Sequence, residues 1–329
     1  MTAWLVRRLL ASVAIVFAVV TITFVLIQLA PGEPWVGSAD QPLDPETRAQ
    51  LRRQFGLDRP VPVQYVLYIR ELASGNLGYS FSHYRPVADA LAEAIPSTLL
   101  LGAAALLIDV LLGLAVGMYQ AVRANRLPDV VLGNASLFLY SLPTFWLGLI
   151  LLLVFGLWLG WFPTGGRTDP VLCPQVDSPR CVIDLLHHLT LPALTLGLVG
   201  AAGTARYQRA AMLDAARLDY IRTARAKGAP EPRIVLRHQF RNALLTFITR
   251  VGLAFPFLLT GAALTETIFA WPGMGRLATD AILRRDYPIV TAVALVASTM
   301  VVAGNLLADL LLGVADPRVR ADRAATEPA

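Results

Sequence analysis

The sequence predicts an all-helical integral membrane protein, and three observations point to that class. Hydrophobic residues make up 56% of the 329-residue chain and charged residues 16%, far from the balance of an average soluble domain. Six apolar runs are long enough to cross a hydrocarbon core as helix, which takes about 17–25 residues. The basic residues gather in particular loops between those runs, as they do where loops stay on the cytoplasmic side.

The six runs follow in order. Leu9–Ala30 is uncharged and Ser97–Met118 carries only Asp109. Val130–Phe162 and Leu189–Ala205 are uncharged. Asn242–Thr265 carries only Arg250, and Tyr287–Ala308 carries no charge. This predicts six transmembrane helices with both termini on one side. The first run exceeds the roughly 7–15 residues of a signal-peptide core, and no clear cleavage site follows it, so an uncleaved helix is expected. The chain divides into a first helix (1–30), an external loop region (31–96), a core of helices two to six (97–316) and a tail (317–329).

The loops set the orientation. Arg7 and Arg8 precede the first span, and Arg318, Arg320 and Arg323 follow the last. Between Arg206 and Arg241 stand nine Lys/Arg against three acids, Asp214, Asp219 and Glu231. All three regions fall on one side of a six-crossing chain, predicted to be cytoplasmic. Pro31–Pro96, with six Arg against eight acids, falls outside. The formal net charge of +5 is thereby explained by topology, and no aromatic–basic interleaving suggests a nucleic-acid surface.

Cys173 and Cys181 are the two cysteines, and both lie in a predicted external loop, where a disulfide is preferred over free thiols. Without a nearby His/Cys set they do not make a zinc site. His187 and His188 read as interfacial residues at the start of span four. Lys227 is the only lysine, and Gly228 follows it where a Walker A loop needs Ser or Thr, so this chain binds no ATP by that means. Neither an HExxH helix nor a G-x-S-x-G elbow is present, which argues against metalloprotease and serine-hydrolase chemistry.

Tyr220–Asn242 is the most informative stretch. Small residues (Ala224, Ala226) lead to Gly228, which can close a helix in left-handed geometry, and Pro230 stands where the next helix can begin. Asp109 and Arg250, ionisable groups within apolar spans, are candidates for a pathway or for a mutual pair. Arg250 also has a plainer reading as a residue snorkelling to the interface. Trp271–Gly275 reads as a tight turn, and Asn305 and Asp309 as hydrogen-bonding groups between helices.

Taken together, these pieces resemble the first permease subunit of bacterial ABC importers for dipeptides, oligopeptides and nickel, over nearly the whole chain. The resemblance rests on RRLL with TFVLIQLAPGEP, on FGLDRPVPVQY and GNLGYSFSHYRPV, and on LYSLPTFWLGLILLLVFGLWLGWFPTGG with LTLPALTLGL. It is strongest in DYIRTARAKG with RHQFRNAL, and continues through ETIFAWPGMGRLATDAILRRDYP to NLLADLLLGVADPRVR. It implies a type I ABC importer permease fold and a cytoplasmic EAA loop (206–241) whose coupling helix docks on an ATPase. Tyr220, Ile221, Arg222, Thr223, Ala224, Ala226, Lys227, Gly228 and Arg241 would form that contact. The implied partners are a second permease of similar fold, two ATPase subunits that bind ATP and Mg, and an external binding protein that delivers peptide for alternating-access import. The implied place is the bacterial inner membrane. Pro31–Pro96 and Glu266–Pro288, with Glu266, Trp271, Gly273 and Gly275, are then candidate contacts for the binding protein, against an alternative in which the Trp271–Gly275 turn merely caps helix five and packs.

Three positions depart from the family pattern: Leu245-Thr246 where Pro is usual, Arg222 in place of the acid that names the loop, and Arg250 in place of an apolar residue. Nickel chelate and glutathione stand beside peptide as cargo. An ion-coupled carrier is the rival class, and no inverted repeat or Gly/Pro-broken helix pair of the kind such carriers use is visible.

Overall fold

The structure, a computed structural model, describes residues 2–29, 46, 50, 53, 58–173, 178–244 and 263–315. The described residues fold almost wholly as helix. Helix α1 (Thr2–Leu29) is followed by the short α2 (Val61–Ala73) and a small hairpin, β1 (Tyr79–Ser80) paired antiparallel with β2 (Arg85–Pro86). Helix α3 (Val87–Val122) leads to α4 (Leu127–Ser141) and α5 (Thr144–Leu151), which widens into a π-helical stretch, Leu152–Trp158. The long α6 (Pro179–Ala216) precedes α7 (Asp219–Ala226) and α8 (Glu231–Arg233), whose path continues in π geometry over Ile234–Phe240. Finally come α9 (Ala263–Ile268), α10 (Met274–Leu283) and α11 (Tyr287–Ala315).

Helix starts follow local chemistry. The Ser178 side chain accepts a hydrogen bond from the Cys181 N–H, and Pro179 opens α6 at a position whose N–H would lack a partner anyway. α3 begins at Val87, ten residues ahead of the predicted span, so its first turns occupy part of the segment expected as external loop. α6 outruns its predicted span at both ends. Its Ala-rich final turns stay helical to Ala216, so the basic loop begins near Arg217 rather than Arg206.

The third predicted span is two helices. α4 and the α5–π segment meet at an angle of 103°. Pro143 has no N–H to give and pushes Leu142 into extended geometry (φ −74°, ψ 134°), which ends α4. Neither arm alone, at about 1.5 Å per residue, matches a hydrocarbon core about 30 Å thick.

Four single helices among the described residues are long and apolar enough to cross a membrane, and five spans result if the bent pair is one. Most of the fifth predicted span, with Arg250, lies outside the described residues. The packing says how the bent pair is traversed. Leu101 clusters with Leu189 and Ala193, a Cβ at Gly197 would meet Ile108, and one at Gly117 would meet Ala205. α3 and α6 thus run side by side in the same direction, and the chain between them must make one net return. The bent pair makes it.

That parallel pair is the spine of the molecule. Its seam is built from small residues, as helix contacts in membranes commonly are. A methyl on Gly117 would come within 2.5 Å of the Ala205 carbonyl oxygen, and one on Gly113 within 2.6 Å of Thr204. Asp109 sits in the same seam, its carboxylate carbon 2.9 Å from where a Cβ on Gly200 would stand. A second cluster joins Val87, Leu91 and Ala94 of α3 to Met274 and Ala281 of α10 and Ile289 of α11. On α1, Leu10, Val13, Phe17 and Leu29 are each more than half exposed, a surface suited to lipid.

Candidate functional site

The two ends of the α3–α6 spine differ in chemistry. One end carries the α3–α4 turn, the last turns of α6, and α7. The other carries the β-hairpin, the start of α6 with the Cys173–Cys181 disulfide (Cα–Cα 5.4 Å), and the corners leading into α10 and α11.

At the first end, α7 is a two-turn helix held by one apolar anchor. Ile221 is fully buried, as is Ile234 beyond the turn. Arg222, Thr223, Arg225, Ala226, Lys227 and Gly228 are exposed, Tyr220 is 42% exposed, and Arg241 is exposed; Ala224 is half-buried. The helix closes with two reversed hydrogen bonds, Ala229 N to Ala224 O (3.2 Å) and Gly228 N to Arg225 O (2.9 Å). This closure requires left-handed backbone at Gly228, where φ is +76°. Arg225 then pairs with Glu231 across the turn at 2.8 Å, and the Tyr220 hydroxyl donates to the His238 carbonyl at 3.3 Å. The result is a short basic helix, fixed by its buried face and displayed by its other faces.

Behind it stands a partly buried ion pair, its acid buried and its Arg209 side chain 31% exposed, that the sequence did not single out. Both carboxylate oxygens of Asp129, in the first turn of α4, accept from the Arg209 guanidinium on α6, each at 2.7 Å. Asp129 is 3% exposed and also accepts from the Asn125 N–H at 2.8 Å. In the sequence Asp129 sits one residue before an apolar run and Arg209 among loop cations. The one available signal is an acid just after Pro128, at the start of a helix, where the macrodipole favours negative charge.

At the opposite end, Glu266 is fully buried. It accepts from the Thr98 hydroxyl on α3 (2.8 Å) and from the Arg276 N–H (2.9 Å), while Thr98 accepts from the Met274 N–H (2.7 Å). The Trp271 indole N–H donates to the Ser97 carbonyl at 2.9 Å, and the ring is fully buried. A Cβ on Gly273 would lie 2.3–2.5 Å from the Glu266 carboxylate. One on Gly275 would lie 2.7 Å from the Ala263 Cα. Glu266, Trp271, Gly273 and Gly275 are therefore buried contacts of the chain with itself, and from Trp271 to Gly275 only Pro272 is exposed.

Beside this knot, buried Asp286 accepts from the Ser80 hydroxyl (2.5 Å), the Ser82 hydroxyl (2.6 Å) and the Ser82 N–H (2.9 Å). It pins the hairpin to the corner before α11. A cavity of about 310 Å³ opens between α1, α2 and the start of α11. Its described walls, Phe24, Leu67 and Phe81 among them, include the acid Glu71 but no cation, so a peptide carboxylate finds no counter-charge there. Among the described residues no group of three or more His, Cys, Asp or Glu could hold a metal ion.

A helical membrane body that displays a small, anchored, basic element at one end is organised as a transport permease. The chain belongs to the family of binding-protein-dependent transport system inner membrane components: residues 111–321 match that family and residues 1–102 its N-terminal region. It is 41% identical over 336 residues to the di/tripeptide transport system permease protein DppB of Pseudomonas aeruginosa (strain UCBPP-PA14), covering 98% of this chain and 100% of that protein. It is 37% identical over 320 residues to the oligopeptide transport system permease protein AppB of Bacillus subtilis (strain 168), with 97% and 99% coverage. Against the dipeptide transport system permease protein DppB of Escherichia coli (strain K12) the identity is 36% over 336 residues, covering 97% and 99%.

Proposed function

We propose that this chain is one of two permease subunits in an ATP-driven importer that carries di- or oligopeptides into the cytoplasm. Its partners are a second six-span permease, two ATPase subunits that bind ATP and Mg, and an external binding protein. The chain itself contributes no ATPase site. It makes six crossings, with both termini and α7 on the cytoplasmic side and the disulfide outside. The basic end of the spine supports that orientation through the positive-inside bias. The observation that carries the reading is α7: a cationic surface with small side chains, exposed on a buried Ile221, suits a close contact with an acidic cleft on an ATPase. Peptide cargo rests on the names of the relatives.

The test is uptake. The complex, reconstituted in proteoliposomes with ATP inside and its binding protein outside, should accumulate a labelled dipeptide or short oligopeptide. Unlabelled peptide should compete, and glutathione or a nickel chelate should not. ATP-dependent uptake of either of those with no uptake of peptide would move the cargo elsewhere. Uptake driven by an ion gradient without ATP would establish the carrier class instead.

A further inference from the structure

We propose that the Asp129–Arg209 pair is the joint through which movement of α7 reaches the α3–α4 turn, so that α4 and α6 move as one body during transport. The proposal rests on the reading of α7 as the ATPase contact.

Three features single the pair out. First comes its position. Arg209 lies seven residues, about 10 Å of helix, before α6 ends at Ala216, and α7 follows after a two-residue link. The link folds back on α6 through the Arg217 N–H to the Asp214 carbonyl (3.1 Å) and the Leu218 N–H to the Ala215 carbonyl (3.2 Å), and this short hydrogen-bonded turn joins α7 to the end of α6. Second is the way Asp129 is held. Its carboxylate accepts from both Arg209 and the Asn125 N–H, and Asn125 is in left-handed geometry at φ +61°. Gln120, at the end of α3, donates to the Asp129 carbonyl at 3.3 Å. One acid therefore ties the end of α3, the turn and the start of α4 to α6. Third, the pair is flanked by buried amides with capacity to spare. Gln120 Oε1 on α3 and Gln208 Nε2 on α6, an acceptor and a donor, have no partner in this arrangement. Both side chains are buried, so this part of the α3–α6 contact carries spare hydrogen-bonding capacity beside the charged pair.

A bidentate charged pair is well suited to such work. It resists shear and rotation because both oxygens are matched to the fork, whereas apolar contacts along the glycine seam allow sliding. Removing the charge leaves the α7 surface untouched, so ATPase capture persists while its movement no longer reaches α4.

The experiment uses the assembled complex in proteoliposomes and reads peptide imported per ATP hydrolysed. For Asp129→Asn, which preserves shape and the acceptor for Asn125, the ratio should fall about tenfold, within the range usual for coupling between sites. Recovery of ATPase subunits on purification should match the unaltered protein. Arg209→Met should fall alike, and the double variant should be no worse than either, since the two act as one unit. If Asp129→Asn fails to assemble, the same ratio is read on Arg209→Lys, which keeps the charge and loses the paired geometry. An unchanged ratio in assembled variants overturns the proposal, as does a loss that tracks only the amount of complex recovered. Absence of ATP-driven uptake with the unaltered chain would instead overturn the importer reading itself.

Discussion

At the scale of single residues, the buried knot around Glu266 concentrates the chain's most exacting chemistry. The carboxylate has lost water entirely and depends on the Thr98 hydroxyl and the Arg276 N–H. Glu266→Ala leaves those donors unanswered beside a void, and a loss of about 3 kcal/mol is expected, read as a lower unfolding temperature of the purified chain in detergent. Glu266→Gln keeps an acceptor and should lose less than half as much. If the two variants unfold alike, the hydrogen bonds contribute little. Gly273→Ala should be as damaging as Glu266→Ala, because its methyl would fall on the carboxylate itself. The sequence marked both residues without their neighbours Ser97 and Thr98. ETIFAWPGMG shows a turn, but whether that turn faces outwards or folds onto Ser97 and Thr98 depends on residues over 160 positions away, and no local pattern encodes that.

At the scale of elements, the α3–α6 seam and α7 set the stability and the displayed surface. Gly117→Ala puts a methyl 2.5 Å from a backbone oxygen that cannot turn aside. The helices must part, at a cost of about 1–3 kcal/mol, and the same unfolding measurement should show it. Gly133→Ala on α4, whose nearest neighbour would be a side-chain nitrogen at 3.5 Å, should be close to neutral. For α7, anchor and display separate cleanly. Ile221→Asp should undock the helix and abolish ATPase capture, whereas Thr223→Asp should leave the chain as stable as before and still weaken capture. Equal thermal stability with equal capture in both variants would remove α7 from the contact. The helix with its glycine closure was legible, because Ala224–Gly228–Pro230 is local chemistry. The break at Pro143 was not, and the expectation of no Pro-broken helix pair fails there, because composition alone let one long uncharged run pass for one helix.

At the scale of the whole molecule, the body is polarised: a basic end that displays α7 and a disulfide-bearing end are joined by the parallel α3–α6 pair, and the first is the end proposed to meet the ATPase. The apolar runs made the membrane class legible, since it follows from composition. The pairing of Asp129 with Arg209 was invisible, as it joins residues 80 apart whose separate settings look ordinary. The polarity can be read chemically. In intact cells stripped of any outer membrane, mild reduction should let a membrane-impermeant maleimide reach Cys173 and Cys181; labelling only after the cells are opened would invert the topology. Contact between α7 and an ATPase is tested most directly at Lys227, the single side-chain amine in the chain and the exposed C-cap of α7. A short amine-reactive cross-linker applied to gently prepared membranes should trap an ATPase subunit at Lys227. The product should disappear with Lys227→Arg and weaken with Thr223→Asp. An unaltered chain recovered without any ATPase, or one joined to it only through other positions, would remove α7 from the ATPase contact.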